Sequence, residues 1–206
     1  MPQANEKLWD DNAAVIAQYM EKLWRTPELP LMEYESAETL CAWLEAEGFA
    51  VERKFCGLPT AFKASYGKGG VTLAILAEYD AMAGLSNEAS VTRRPIAGQA
   101  AGHACLHCHI GAGNTGAAVT VKRHLAASGA PGRIVVIGCP AEEILYGKIA
   151  LLGEGCFAGL DAILTCHVDY QNASAAQPTL AAAMAESARG GVSSHAGAAR
   201  NRNALD

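Results

Sequence analysis

Charge is scarce in this chain: Lys, Arg, Asp and Glu together make up 18% of its 206 residues, and aromatic residues only 6%. Basic residues are the fewer of the two signs, 16 against 21 acidic ones for a net charge of −5, and no Lys/Arg cluster appears anywhere. A protein that tracks a phosphate backbone needs such a cluster, so nucleic acid is excluded as an expected partner. No apolar run reaches the roughly 20 residues of a membrane-spanning helix, so no membrane partner is expected either. The first residues lack a basic start, an apolar core and a small-residue cleavage site; this predicts no secretory signal and a cytoplasmic location. Seven cysteines are an odd number scattered through a chain well above disulfide-scaffold size, and most are expected to be reduced, buried small hydrophobes. Half of the residues are hydrophobic, enough at this length for one domain with a sizeable core plus a fragment of another.

Periodicity supplies the elements. Leu8, Val15, Ile16, Tyr19 and Leu23 recur at helical spacing before Pro27 and Pro30 break the chain, which predicts a helix over 7–24. Ser36 is a good N-cap, Leu40, Trp43 and Leu44 share one face, and Gly48 marks the end of a second helix. Strand-like stretches follow at 49–55 and 61–65, and the apolar run Val71–Ala77 suits a strand buried on both faces. Residues 81–102, rich in Gly, Ala and Ser, read as a long connecting loop. A helix from about Gly111 to Ser128, a strand at Ile134–Ile137, a short helix over 145–157 and a strand at Ala162–Cys166 complete the pattern. Strands alternating with helices predict an α/β fold, a mixed, largely parallel sheet with helices on both faces. Glu142, Glu143 and His167 then stand just past the carboxyl ends of two strands, the edge where open α/β sheets bind ligands. From Ala173 onward the composition shifts to Ala, Ser and Gln; residues 1–175 read as one domain and 176–206 as the beginning of another, with a strand over 180–191.

Chemistry concentrates in Cys105-Leu-His107-Cys108-His109. The literal Cys105-x-x-Cys108-His109 spacing is that of covalent c-type haem attachment, an alternative that wants an export signal. A structural zinc site would want a second ligand pair at finger-like spacing, and none follows. The alternative that uses more of the chain combines Cys105, His107, Glu143 and His167 as ligands of a zinc-type ion, with Glu142 beside them as general base. Taken by themselves, Glu142 and Glu143 could equally be a solvated strand-to-helix connection.

The order of motifs is itself informative. Ala77-Glu-Tyr-Asp80-Ala, Gly102-His-Ala-Cys105-Leu-His107, Gly138-Cys-Pro-Ala-Glu142-Glu143, Asp161-Ala-Ile-Leu-Thr-Cys-His167, Ser194-His195-Ala and Asn203-Ala-Leu-Asp206 together resemble the M20 metallopeptidase and amidohydrolase family, most closely its M20D branch. The resemblance implies a three-layer, zinc-exopeptidase-like sandwich followed by the start of an α+β lid. It implies one or two zinc or manganese ions held by Cys105, His107, Glu143 and His167, with Glu142 as general base and Asp80 steadying a ligand imidazole. His195 matches a lid histidine that, in family dimers, reaches a neighbouring active site; its plain alternative is a surface histidine. The implied activity is hydrolysis of an amide bond in N-acyl amino acids, dipeptides or aminobenzoyl-glutamate-like compounds, with a homodimer formed through the lid.

The chain departs from the family pattern at Leu106 and Cys108, where Gly and Asn or Asp are usual, at Ile144 and Leu145, where glycines are usual, and at Met82, where proline is usual. Most of the lid and a last histidine ligand would follow the position of Asp206, so the resemblance also implies an alternative: a C-terminally truncated, inactive member.

Overall fold

The computed structural model describes residues 2–169. The expected strand over 180–191, the lid, His195 and the Asn203–Asp206 segment lie outside the described residues. Helix α1 spans Pro2–Arg25 and α2 spans Tyr34–Ala46. Strands β1 (Ala50–Arg53), β2 (Phe62–Lys68) and β3 (Thr72–Ala77) follow, then a two-residue pair, β4 (Met82–Ala83) and β5 (Ala101–Gly102). Helix α3 (His107–Ser128), β6 (Gly132–Gly138), α4 (Gly147–Gly153) and β7 (Ala162–Leu164) complete the described elements.

Five strands form one sheet in the order β1-β2-β6-β3-β7. The sheet is mixed: β6 pairs antiparallel with β2 and parallel with β3, and β3 pairs parallel with β7. Because side chains alternate along a strand, β6 feeds two cores at once. Ile134 and Val136 pack with Leu23, Leu40, Trp43 and Val119 on the face covered by α1, α2 and α3. Val135 and Ile137 pack with Leu151 of α4 and with Phe55 on the other. Helices on both faces of an α/β sheet match the expected layering.

Two local differences from the sequence reading matter for the site. Helix α3 begins at His107, four residues before Gly111, and its N-cap is Leu106 in the left-handed region at φ 61. Leucine supplies no capping oxygen, so the usual sequence signal for a helix start is missing there. The loop between β3 and α3 closes on itself through the β4–β5 pair, with Met82 opposite Gly102 and Ala83 opposite Ala101. Cys56 and Cys156 are joined by a disulfide that ties the turn after β1 to the segment after α4, while the other five cysteines remain thiols.

Candidate metal centre

The carboxyl edge of the sheet gathers the chemistry-bearing residues. Beyond β3 the chain stays extended, so Glu78 and Asp80 point to one side while Tyr79 turns into the core and donates its hydroxyl to the Thr60 carbonyl at 2.7 Å. Cys105 precedes α3 and His107 opens it; Glu142 and Glu143 follow β6, and His167 follows β7. The helix approaches closely because Gly111 offers no Cβ; one added there would sit 2.6 Å from the Glu78 carbonyl oxygen. Further along α3, Asn114 donates from Nδ2 to the Leu76 carbonyl at 2.6 Å and accepts the Cys166 thiol at 3.0 Å. It thereby fixes the end of β3 and the residue before His167.

His107 is wholly buried, and its Nδ1–H donates to Asp80 Oδ1 at 2.8 Å. The other oxygen of Asp80 accepts the backbone N–H of Glu143 at 2.9 Å. With Nδ1 engaged, Nε2 faces three carboxylates, Glu78 at 3.5 Å and Glu142 and Glu143 each at 3.7 Å. Among the described residues, no hydrogen-bond partner reaches that nitrogen. On its other side Cys105 Sγ lies 3.2 Å from His167 Nε2, and the His167 Nδ1–H donates to its neighbour's carbonyl, Val168, at 2.8 Å. A neutral His167 therefore presents an unprotonated Nε2 toward the thiol.

Two groupings bring ligand atoms within 4.8 Å of one another: Cys105–His107–His167 and Glu78–His107–Glu142. Electrostatics favour a cation between them. Burial alone would keep the His107 ring neutral, but Asp80, Cys105 and Glu78 outweigh it and raise its pKa to about 11. Burial pushes the Cys105 thiol up, against the pull of His107. Burial likewise works against the Lys148 ammonium, yet the Glu78 carboxylate, and then Glu142, hold its pKa above the ordinary lysine value. A buried imidazole with one nitrogen oriented by a carboxylate and the other unpartnered, beside a thiol, a second imidazole and three carboxylates, fits a divalent ion of the zinc type.

Of the residues singled out in the sequence, Cys105, His107, His167, Glu142, Glu143 and Asp80 come together at this edge, and His195 lies outside the described residues. Glu78 and Lys148 were missed. Glu78 carried a legible signal, two residues from Asp80 on an extended segment; Lys148 stands where the resembled pattern also has a lysine, but only the fold brings it against Glu78. The haem alternative meets a physical obstacle. Cys108 is fully buried in the core among residues of α2 and β6, so both thiols cannot bond one porphyrin.

A backbone hydrogen bond to a buried carboxylate holds the glutamate loop. Ala141, at φ 55, donates its N–H to Glu33 Oε1 at 2.8 Å, and that buried carboxylate also accepts the Leu31 N–H at 2.9 Å and the Thr60 hydroxyl at 2.9 Å. Beside Glu143 a cavity of about 570 Å³ opens, walled by Leu29, Met82, Leu85 and Ile144.

No family profile matches the chain. It is 37% identical over 189 residues to one component of the p-aminobenzoyl-glutamate hydrolase of Escherichia coli, an alignment that covers 90% of this chain and 39% of that protein. It is 32% identical over 177 residues to the Xaa-Arg dipeptidase of Mus musculus, covering 80% of this chain and 37% of that one. The chain thus spans less than half the length of these relatives. Among solved structures, a dinuclear metal-binding peptidase of the M20 family from Bacillus subtilis superposes with a TM-score of 0.62 at 27% identity, over 73% of this chain and 41% of its own. Fold, ordered motifs and sequence identity converge: the chain belongs to the M20 metallopeptidase and amidohydrolase family.

Proposed function

We propose that this chain carries the metal-binding half of a hydrolase that cleaves an amide bond in N-acyl amino acids, dipeptides or aminobenzoyl-glutamate-like compounds. One observation supports the proposal above all: His107 Nε2, buried and without a hydrogen-bond partner among the described residues, is aimed by Asp80 into a ring of thiol, imidazole and carboxylate groups. Cys105, His107 and His167 would hold the ion, with Glu143 on its carboxylate side. Zinc or manganese bound there would polarise a carbonyl and lower the pKa of water.

The remaining chemistry falls to the chain's own groups. Glu142, whose side chain is 27% exposed while those of Glu78 and Glu143 are buried, is the carboxylate with access to the mouth of the site. It is the group able to take a proton from water and deliver it to the departing amine. Asp80 keeps the His107 ring in one tautomer and, through the Glu143 N–H, keeps the glutamate loop against it. The apolar cavity beside Glu143 gives an uncharged substituent of the substrate a place next to the reacting carbonyl. The relatives named for aminobenzoyl-glutamate and for Xaa-Arg dipeptides both act on amides of an amino acid, which sets the panel to be tested.

The test is hydrolysis of aminobenzoyl-glutamate and of a dipeptide panel that includes Xaa-Arg compounds, with zinc or manganese supplied, by the chain and by Glu142→Gln. Turnover that falls at least about 100-fold in the variant, with metal content unchanged, is the expected result. Turnover indifferent to Glu142→Gln would remove the assigned base, and a chain that retains neither ion on dialysis would remove the metal centre.

A further inference from the structure

The cavity of about 570 Å³ beside Glu143 has the size of a small-molecule site. Its walls come from three loops. Leu29 stands between α1 and α2, Met82 and Leu85 follow Asp80, and Ile144 follows Glu143. Backbone hydrogen bonds pin these loops to one another. The Ala81 N–H donates to the Glu28 carbonyl at 2.8 Å, and Met82 pairs with Gly102 in the β4–β5 ladder. Glu33 Oε1 accepts both the Leu31 and the Ala141 N–H, which joins the Leu29 loop to the glutamate loop. The cavity is thus formed before any substrate arrives.

Among the described residues that line it, Glu143 is the one charged group and the others are apolar. Glu143 also lies 3.7 Å from His107 Nε2, so the cavity meets the metal centre at its own wall. Glu142 does not line it. With the proton for the departing amine coming from Glu142, the amine lies on that side, and the acyl substituent turns toward Glu143 and the cavity. An acidic substituent there would face a carboxylate, and a charge of either sign would lose its water between apolar walls. A ring or a branched chain instead covers those walls. Two of the wall residues, Met82 and Ile144, stand where the family pattern has proline and glycine. Ile144 is 43% exposed, so the core does not require its side chain, and a glycine there would leave that wall open.

We propose that this cavity is the acyl pocket of the hydrolase and that Met82 and Ile144 set its selectivity: it takes a bulky uncharged acyl group, aromatic or branched, and turns acidic acyl groups away. This rests on the metal-dependent hydrolase proposed above and narrows its substrates to amides whose carbonyl carries such a group.

The experiment titrates the zinc-loaded full chain calorimetrically with three hydroxamates that chelate the ion alike and differ in the acyl group: acetohydroxamate, benzohydroxamate and the monohydroxamate of succinic acid. Benzohydroxamate is expected to bind at least about tenfold tighter than acetohydroxamate, and the succinic compound no tighter than acetohydroxamate. In Ile144→Gly and in Met82→Ala the ratio of benzohydroxamate to acetohydroxamate affinity should fall at least about threefold. In Ile144→Lys the succinic compound should gain at least about tenfold over its wild-type affinity. Benzohydroxamate no tighter than acetohydroxamate in the wild type, a succinic compound that binds as tightly as benzohydroxamate, or a ratio that all three variants leave unaltered would overturn the acyl pocket, while acetohydroxamate binding keeps the metal centre standing. A chain that holds no zinc, or bound zinc that takes none of the three, would overturn the metal centre and the pocket with it.

Discussion

Asp80 and His107 form one buried pair whose two carboxylate oxygens do different jobs. Oδ1 accepts the ring Nδ1–H at 2.8 Å, and Oδ2 accepts the Glu143 backbone N–H at 2.9 Å, so a single side chain couples α3 to the loop after β6. Asp80→Asn keeps the volume and removes the charge. Metal affinity is expected to fall about 10–100-fold, the usual effect of losing a carboxylate behind a ligand histidine. Chelator competition on the purified variant checks this, and an affinity equal to wild type would show that Asp80 does not orient the ring.

Among the described glycines, Gly147 is the one least able to accept a side chain. A Cβ there would fall on the Pro140 carbonyl oxygen, and neither group can move without shifting the glutamate loop or Lys148. Gly147→Ala is expected to cost about 1–3 kcal/mol of stability and to weaken metal binding together with it. Urea unfolding and titration calorimetry on one preparation test the pair; a stable variant with intact metal binding would contradict the close approach.

Glu33 offers a pH signature. Burial raises its pKa above the ordinary carboxylate value, outweighing the Ala141 and Leu31 N–H groups and the Thr60 hydroxyl. The folded protein thus holds this proton at pH values where the unfolded chain has released it. Its contribution is full below the unfolded pKa and is lost as pH rises through the folded one. Glu33→Gln cannot ionise, so thermal unfolding followed from about pH 4 to about pH 8 should show the variant gaining on wild type as pH rises. A constant difference across that range would assign Glu33 no titration of its own.

The Cys56–Cys156 disulfide closes a loop of sequence separation 100. Chain-entropy reasoning gives a cross-link of that span about 4.7 kcal/mol, an upper figure because real disulfides often deliver less. Chemical unfolding of Cys56→Ser/Cys156→Ser, compared with the oxidised chain, should show a lowered midpoint, and reductant should bring the wild type to the same value. Identical midpoints would mean that the two thiols are not joined in solution.

The frame was legible because its signals are local. The apolar runs at Val71–Ala77 and Ile134–Ile137 suit buried strands, and residues just past the ends of parallel strands share an edge. Cys105 and His107 announced themselves by residue type. What escaped depends on distant pairing. Lys148 meets Glu78 only after α4 folds back over the sheet, and no spacing rule joins positions so far apart. The early start of α3 escaped because Leu106 holds a left-handed cap without any capping oxygen, and the disulfide because pairing cannot be deduced from cysteine spacing alone.

The place of β6 also dictates an order of assembly. Strands β2 and β3 are neighbours in sequence but not in the sheet; each pairs with β6, which is made only after the long loop and all of α3. Until that strand emerges from the ribosome, the nascent chain carries two unpaired hydrophobic edges facing a gap. Such long-range closure makes folding slow and leaves the intermediate open to association with other chains. The gap between β2 and β3 closes only when Ile134–Ile137 slides between its partners.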